Sequence, residues 1–200
     1  MLFRSLADLE RLFKVERLNK SPAVFDYQKL EWYNGQYIRM KSDVQLAEMV
    51  RPFLAEAGLT IPGDAYLVAA MPLVKERLKF LTDAPAMLRY LFEEPALPPA
   101  EEFIPKKLDA ARTAGLLAAA AALLPQLPVD DVPACEAAFR AEAERIGAKF
   151  GDLMMPLRVA VTGSRVSPPL FESIALLGAE KAAQRAKRAL LAINGAMQQR

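Results

Sequence analysis

Residues 42–58, SDVQLAEMVRPFLAEAG, decide the fold class because they carry a start signal, an apolar face and a stop signal for one helix. Ser42 and Gln45 have the spacing of a capping box, in which two side chains bond free backbone N–H groups at a helix start. Apolar residues then recur every three or four positions, so the helix is predicted to bury one face. Its inward residues are Leu46, Met49, Val50, Phe53 and Leu54. We expect Pro52 to kink the helix and Gly58 to end it.

Similar helix signals recur on both sides of this stretch, whereas the alternating patterns of strands and their hairpin turns are scarce. The sequence therefore predicts an all-α protein of about eight or nine helices. The other predicted helices run from Ser5 to Phe13, through Leu30 and Tyr33 to a C-cap at Asn34-Gly35, from Asp64 to Phe80, from Thr82 (as cap) to Phe92, from Lys106 to Leu124, from Ala134 to Ile146, from Lys149 to Val161 with a stop at Gly163, from Ser167-Pro168 (cap and first turn) to Gly178, and from Glu180 to Leu191.

Two proline-rich stretches, residues 93–102 (EEPALPPAEE) and 125–133, interrupt this series. The first is acidic and aperiodic, which is typical of a loop or a domain junction. Its paired glutamates lack the apolar neighbours that raise a carboxyl pKa for acid–base catalysis, so we expect a solvated acidic loop. The chain is predicted to form two helical units that are separated near residues 93–102.

Composition excludes several kinds of catalytic site. The 200 residues include no histidine and one cysteine, Cys135. Catalytic triads, Cys-His dyads and HExxH zinc sites all need histidine, and one cysteine cannot form an internal disulfide or hold an iron–sulfur cluster. We expect Cys135 to be a small buried apolar residue. No glycine-rich phosphate-binding motif occurs either.

Hydropathy and charge restrict the compartment and the partners. The longest apolar run, residues 116–124, is far shorter than the roughly 20 residues that cross a bilayer. The N-terminal residues do not resemble a signal peptide, so we expect a cytoplasmic protein that does not bind a membrane. A net charge of +2 is weaker than the usual charge of a nucleic-acid binder, but it allows a local basic patch.

Basic residues cluster in three places: residues 75–79 (KERLK), 156–171 and 181–200. A cluster of this kind is most often a solvated helix face, and Leu170 and Phe171 in the second cluster are most often core residues. Arginine is also the side chain best suited to hold phosphates and base edges, and exposed apolar residues beside it can stack unpaired bases. The residues alone leave both interpretations open. The basic residues of the third cluster are Lys181, Arg185, Lys187, Arg188 and Arg200.

Five motifs, in this order, resemble the bacterial glutamyl-tRNA synthetase family downstream of its catalytic domain. They are KSPAVFD at 20–26, KLEWYNGQYI at 29–38, VKERLKFLTD at 74–83, PLRVAVTG at 156–163 and SPPLFESIALLG at 167–178. Each motif is moderately specific, and their shared order and spacing make the combination highly specific.

The resemblance implies a division of the chain and of its chemistry. Residues 1–41 would end a stem-contact region, and residues 42–96 and 97–200 would be two helical anticodon-binding subdomains. The family's ATP and glutamate site carries HIGH-like and KMSKS-like motifs, which this sequence lacks. The resemblance therefore implies that the parent glutamate–tRNA ligase uses ATP and Mg²⁺, whereas this chain has no catalytic residue, cofactor or metal of its own.

The resemblance also implies which residues contact the anticodon of tRNA-Glu. Arg77 matches an arginine that reads cytosine at the third anticodon position, where glutamine anticodons have guanine. Arg158 matches a second anticodon-loop arginine. Ser167, Pro168 and Leu170 match a loop that packs against bases, although Pro169 replaces a glycine of some relatives, which puts the path of this loop in question.

Lys75, Lys79 and Arg165 are added as phosphate contacts because of their charge and their position beside these motifs. We expect a monomer whose partner is tRNA-Glu. Two alternatives stay open at this point. Instead of part of a larger synthetase, the chain would then be a free-standing helical module that descends from the synthetase and binds tRNA or protein, or a helical scaffold without an RNA role.

Overall fold

The computed structural model describes residues 5–15 and 26–198, which form ten α-helices and no strand. The all-α prediction is confirmed, with more helices than expected. The first family-like motif, residues 20–26, lies outside the described residues except for Asp26. The helices are α1 (Leu6–Leu12), α2 (Tyr27–Arg39), α3 (Asp43–Glu56), α4 (Asp64–Lys75), α5 (Ala84–Phe92), α6 (Ala110–Leu123), α7 (Val132–Arg145), α8 (Phe150–Thr162), α9 (Leu170–Leu177) and α10 (Ala179–Gln198). Short 3-10 helices cover Leu81–Asp83, Ala100–Phe103 and Leu124–Gln126.

Helix α3 begins as the sequence predicts. Ser42 Oγ accepts a hydrogen bond from the Gln45 N–H at 3.2 Å, and Gln45 Oε1 accepts one from the Ser42 N–H at 3.0 Å. Gly58 follows the helix with a φ of 73°, a left-handed conformation that glycine adopts without a steric penalty. The expectation for Met49 is wrong, because its side chain is 37% exposed. The buried face consists of Leu46, Ala47, Val50 and Leu54.

Helix α2 corrects the C-cap predicted at Asn34-Gly35, since the helix continues to Arg39. The two residues serve packing instead. The Asn34 side-chain amide donates to the Lys79 carbonyl, and a Cβ built on Gly35 would lie 3.5 Å from the Leu78 carbonyl oxygen. That distance is an ordinary van der Waals contact, so α2 packs against the turn after α4 at these two residues.

The segment after α4 also differs from the prediction. Helix α4 ends at Lys75 instead of reaching Phe80, and Thr82 lies inside the 3-10 helix without capping α5. The Asp83 carboxylate accepts a hydrogen bond from the Phe80 N–H at 2.9 Å, so the side chain that organises this turn is the aspartate. The resulting turn, residues 76–79, carries one of the candidate arginines, Arg77.

Helix α9 begins at Leu170 and not at Ser167-Pro168, which corrects the predicted cap. Pro169 occupies the N-cap position with a φ of −53°, a value that the proline ring favours. Proline is therefore unstrained at this position. Ser167 is left in the loop, where its polar atoms bond side chains from two other segments.

Buried residues form two hydrophobic cores. The first joins α2 to α5 and includes Leu46, Leu67, Val74 and Leu88. The second joins α6 to α10 and includes Phe103, Leu117, Phe139, Leu157 and Ile193. Leu176 of α9 packs against the first core, so the cores touch although residues 93–102 separate them along the chain. The subdomain boundaries proposed from the sequence remain a prediction.

Residues 93–102 pack onto α10 and are not a freely solvated loop. Arg185 of α10 is 1% exposed, and it bonds the Glu94 carboxylate at 2.9 Å, the Val161 carbonyl at 2.7 Å and the Glu93 carbonyl at 3.0 Å. Arg188 also pairs with Glu94, at 2.9 Å. One of the basic side chains of the C-terminal cluster is thus a buried structural anchor.

Helix α10 continues past the predicted end at Leu191, because Ile193 is buried and Met197 packs against the second core. Apolar contacts therefore stabilise this last segment of the helix. No helix within residues 5–15 and 26–198 is both long and apolar enough to cross a membrane.

Candidate nucleic-acid interface

Arg77 lies in the exposed turn after α4 and reaches across to the loop before α9. Its backbone N–H donates to the Val74 carbonyl at 2.8 Å, which continues the helical turn. Its Nη1 donates to the Ser167 carbonyl oxygen at 2.7 Å. One end of the guanidinium is therefore fixed, and the Nε and Nη2 donors form no hydrogen bond to the described part of the chain.

Arg158 reaches the same loop from α8. Its Nη1 donates to Ser167 Oγ at 2.6 Å and to the Pro168 carbonyl at 3.0 Å. The half-buried position of this side chain follows from its place in α8, whose neighbouring residues Leu157 and Val159 are in the core. Two sequence-predicted residues, Arg77 and Arg158, are thereby brought together on a third, Ser167.

The two guanidiniums concentrate positive charge. Burial, and secondly the like charge of Arg77, lowers the pKa of Arg158 from its ordinary value. Arginine stays protonated even so. Within the described residues neither side chain forms an ion pair with a carboxylate. Glu172 is near enough for its charge to act on Arg158, but the hydrogen-bond partners of the two guanidiniums are carbonyl and hydroxyl oxygens. Two cations beside one carboxylate leave a net positive charge for an anionic partner.

The loop between α8 and α9 has a fixed path. Gly163 ends α8 with a φ of 76°, and a Cβ placed on it would lie 3.0 Å from Pro95 Cβ, so both its conformation and its surroundings require glycine. The Thr162 hydroxyl donates within the turn, and the Val166 N–H donates to Ser164 Oγ at 3.2 Å. Local hydrogen bonds therefore hold the loop that the two arginines contact.

Leu170 does not face this surface. Its side chain is 3% exposed and belongs to the second core, and Ser167 and Pro168 are also buried. The exposed apolar side chain of the loop is Val166, which is 82% exposed. A pocket of about 180 Å³ lies beside it, with Arg77 and Tyr90 in its wall.

Tyr90 lines this pocket, and no pattern in the sequence predicts this role for it. Its hydroxyl lies 2.6 Å from Ser173 Oγ, which joins α5 to α9. Burial raises the pKa of Tyr90 to about 12, more than the hydrogen bond to Ser173 and the nearby arginines lower it. The phenol therefore stays neutral at physiological pH and fixes the distance between the helices that carry the site.

The three predicted phosphate contacts differ in their surroundings. Lys79 is exposed and pairs with Glu31 at 3.0 Å, whereas Lys75 is mostly covered and pairs with Asp43 at 3.0 Å. Arg165 pairs with Glu102 and donates to the carbonyls of residues 101, 102 and 104. Only Lys79 combines wide exposure with a position beside Arg77.

A family model described as "Anticodon binding domain" matches residues 45–190. The chain belongs to the anticodon-binding domain family. The matched range includes Arg77, Arg158 and the loop between α8 and α9, so the site described above lies inside the family's shared region.

Proteins named glutamate–tRNA ligase are similar to this anticodon-binding domain along most of its length. That of Treponema denticola is 48% identical over 210 residues, covering 93% of this chain and 42% of the relative. That of Borreliella burgdorferi is 36% identical over 192 residues, covering 94% and 39%. The resemblance read from the motifs is confirmed. The chain spans about two fifths of the length of these relatives.

A solved structure of a glutamate tRNA ligase from Elizabethkingia meningosepticum has a similar fold. It superposes with a TM-score of 0.75 at 22% identity, covering 94% of this chain and 37% of that one. A second such structure, from Elizabethkingia anophelis, gives a TM-score of 0.73. These likenesses show that the helical arrangement of the anticodon-binding domain is shared.

The sequence reasoning also missed a second pocket in this anticodon-binding domain. A cavity of about 490 Å³ lies between α2 and residues 76–79, with Trp32 and Arg77 in its wall. Trp32 belongs to one of the family-like motifs, but a motif does not reveal exposure, and the structure shows this side chain to be 57% exposed. Within the described residues no group of three or more histidine, cysteine, aspartate or glutamate side chains gathers that could hold a metal ion.

Proposed function

We propose that this chain binds the anticodon loop of tRNA-Glu as the anticodon-binding part of a glutamate–tRNA ligase. The observation that carries the proposal is the convergence of Arg77 and Arg158 on Ser167, where the two guanidiniums bond carbonyl and hydroxyl oxygens and the charge of one carboxylate, Glu172, acts on Arg158. Family membership and the names of the relatives agree with it. A folded loop holds these arginines in place, and their positive charge is not fully neutralised. Such side chains suit RNA, because they can bind its phosphates and donate hydrogen bonds to its base edges.

Arg77 is the proposed reader of the third anticodon base. Its Nη1 is anchored on the Ser167 carbonyl, so the remaining donors have a defined direction. A guanidinium only donates hydrogen bonds, which suits the O2 and N3 acceptors of an unpaired cytosine. The N1–H and amino group of guanine would meet it donor to donor. By analogy with base readout in duplexes, such a mismatch costs ~1–3 kcal/mol.

Arg158 and the loop complete the proposed base-binding surface. Arg158 holds Ser167 and Pro168 in place, and Val166 presents an exposed apolar face beside them. Leu170 contacts a base only if it leaves the core, so in our proposal it supports the loop from inside. Val166 takes the packing role that the sequence assigned to Leu170.

The phosphate contacts remain part of the proposal, with Lys79 in the leading position. Its pair with Glu31 is exposed on both sides, and exposed ion pairs contribute little to stability. A phosphate can therefore replace Glu31 at low cost. Lys75 and Arg165 would have to break more extensive contacts with Asp43 and with residues 101–104.

The parent reaction, by the same proposal, joins glutamate to the 3′ end of tRNA-Glu and uses ATP and Mg²⁺. We assign that reaction to the rest of such a ligase and place it in the cytoplasm with its tRNA. The residues of this chain supply recognition and no chemical step. The chain is accordingly expected to bind tRNA-Glu as a monomer without a glutamate- or ATP-dependent charging activity.

The test is a titration of tRNA-Glu and tRNA-Gln transcripts at fixed salt, with the Arg77→Gln variant beside the native chain. We expect Arg77→Gln to reduce the preference for tRNA-Glu by about 5- to 150-fold, the equivalent of ~1–3 kcal/mol. Arg140→Gln is the matched control, since it removes one exposed arginine that pairs with Glu136 on α7. Unchanged binding of both tRNAs by Arg77→Gln would contradict the role of Arg77 in reading the third anticodon base. If the native chain binds neither tRNA at low salt, the proposal fails and the interpretation as a helical scaffold without an RNA role remains.

A further inference from the structure

Trp32 is the only tryptophan of the chain, and it is 57% exposed on α2. Its ring meets that of Tyr33 edge to face, with centroids 5.1 Å apart and planes at 74°. This contact fixes the ring orientation. A large aromatic side chain that is held in place and more than half exposed offers a stacking surface, which the recognition of the base by Arg77 does not use.

Three contacts place α2 against residues 76–79. The Asn34 amide donates to the Lys79 carbonyl, and Arg39 donates to the Glu76 carbonyl at 3.5 Å. Between them α2 passes close to the Leu78 carbonyl, since a Cβ on Gly35 would lie in van der Waals contact with its oxygen at 3.5 Å. The indole is therefore positioned beside the turn that carries Arg77 and does not belong to a separate surface.

The cavity formed in this way has the size and charge for a nucleotide. Its volume of about 490 Å³ lies in the usual range of small-ligand sites, ~300–1,000 Å³. Its wall combines Trp32 with three cationic side chains and two acidic ones, so its formal charge is positive; the charged residues are Arg39, Arg77, Lys79, Glu31 and Glu76. The nearby acidic residues form only exposed or long ion pairs, which an incoming phosphate can replace.

Arg77 joins this cavity to the pocket beside Val166, because its side chain lines both. A strand with one base at the Val166 side therefore passes its backbone over Arg77 toward Trp32. Indole rings and guanidinium groups stack on bases of any kind, since every base has a π face. A single-stranded RNA segment fits this sequence of contacts better than an apolar peptide, which would bury the charged groups of this wall and offer them no hydrogen-bond acceptor in place of water.

We propose that the Trp32 cavity holds a second unpaired nucleotide of the RNA that Arg77 reads, with its base stacked on the indole and its phosphate between Lys79 and Arg39. The inference rests on the proposed function and extends the RNA site by one sequence-tolerant position. Because stacking ignores base identity, this position adds affinity and little discrimination.

The first test uses Trp32 as its own probe in the native chain. A stem-loop RNA with the tRNA-Glu anticodon carries a fluorescein label, so that anisotropy reports binding independently of the tryptophan. We expect saturating RNA to quench the Trp32 fluorescence emission and to reduce the further quenching of that emission by acrylamide. Replacing one loop nucleotide by an abasic residue should abolish the quenching and identify the stacked base.

The second test compares the RNA affinities of three variants. Trp32→Ala is expected to weaken binding about 5- to 150-fold, from the stacking strength of one base, and Trp32→Phe to retain most of it. Tyr37→Ala is the matched control, because Tyr37 is an exposed aromatic residue of the same helix outside the cavity wall. All three should leave the preference for tRNA-Glu over tRNA-Gln unchanged.

The outcomes separate this inference from the proposed function. If anisotropy shows binding while the Trp32 emission and the Trp32→Ala affinity stay unchanged, the cavity is not an RNA subsite and the anticodon proposal stands. If anisotropy shows no binding at low salt, both proposals are overturned.

Discussion

Two arginine pairs, Arg77 with Arg158 and Arg185 with Arg188, share a residue type and differ in what surrounds them. Glu94 binds both guanidiniums of the second pair at 2.9 Å. The first pair meets only carbonyl and hydroxyl oxygens of one loop. A carboxylate neutralises an arginine in place, so the second pair is a structural joint and the first keeps its charge for a partner.

This difference could not be read from local sequence. The C-terminal stretch that contains Arg185 has no acidic neighbour after Glu180, which made it the most basic-looking segment of the chain. Its neutralising residue, Glu94, lies 91 positions away. A count of local charge therefore overestimates the free charge of α10, whereas Arg77, in a turn of mixed charge, retains its own.

The largest expected effect is on the structural pair. Arg185→Met removes the cation that bonds Glu94 and the buried Val161 carbonyl, and it leaves that carbonyl without its partner. We expect a loss of ~2–4 kcal/mol in the free energy of unfolding, measured by urea titration. RNA affinity under native conditions should stay unchanged.

Lys187→Met is the matched control for this variant, since Lys187 is exposed on the same helix two residues away. It should change the unfolding free energy by less than ~0.5 kcal/mol. Equal losses in both variants would mean that helix α10 responds to any change of charge, and the contrast between the arginine pairs would fail.

Tyr90 provides the next effect, because it lies near enough to both pairs for the charges of Arg158 and Arg185 to act on its pKa. Burial dominates and raises the pKa of the folded state to about 12, above the ordinary value of 10.0. The unfolded chain therefore loses this proton first, and the folded state loses stability as the pH rises from 10 to about 12. The full linkage amounts to as much as ~3 kcal/mol.

We expect Tyr90→Phe to flatten this alkaline loss, measured as the difference in unfolding free energy between pH 9 and pH 12. At neutral pH the variant should lose only the hydrogen bond to Ser173, ~0.5–1.5 kcal/mol. Tyr27→Phe, at an exposed position, should keep the native alkaline slope. A Tyr90→Phe curve parallel to that of the native chain would show that the phenol does not titrate in this range.

Sequence reasoning succeeded where the cause of a structure lies within a few residues. The capping box of Ser42 and Gln45 and the glycine stops at Gly58, Gly163 and Gly178 are local chemistry, and all appear at the predicted positions. The motif order was also sufficient to recognise the family, because it combines many local patterns.

Sequence reasoning failed where a segment distant along the chain determines the local structure. The C-cap predicted at Asn34-Gly35 lies inside α2, where these residues pack against residues 78 and 79, and Leu170, which the resemblance placed on a base-packing loop, lies in the second core. Arg77 and Arg158 both bond Ser167, and Arg77 lies 90 positions from Ser167 along the chain. Periodicity and spacing carry no information about such pairings. The resemblance to a family could therefore identify individual site residues, but the sequence could not predict that they lie together.

The smallest expected effect concerns Lys79, which extends the charged surface beside Arg77. If it contacts a phosphate, Lys79→Gln should reduce the slope of log affinity against log salt by about 1, with a similar loss for every RNA sequence. Lys187→Gln removes the same charge from α10, where Glu94 already neutralises the neighbouring arginines, and it should leave the slope unchanged. Identical slopes for both variants would mean that the RNA responds only to net charge, so the two basic regions would be equivalent in binding despite their different surroundings.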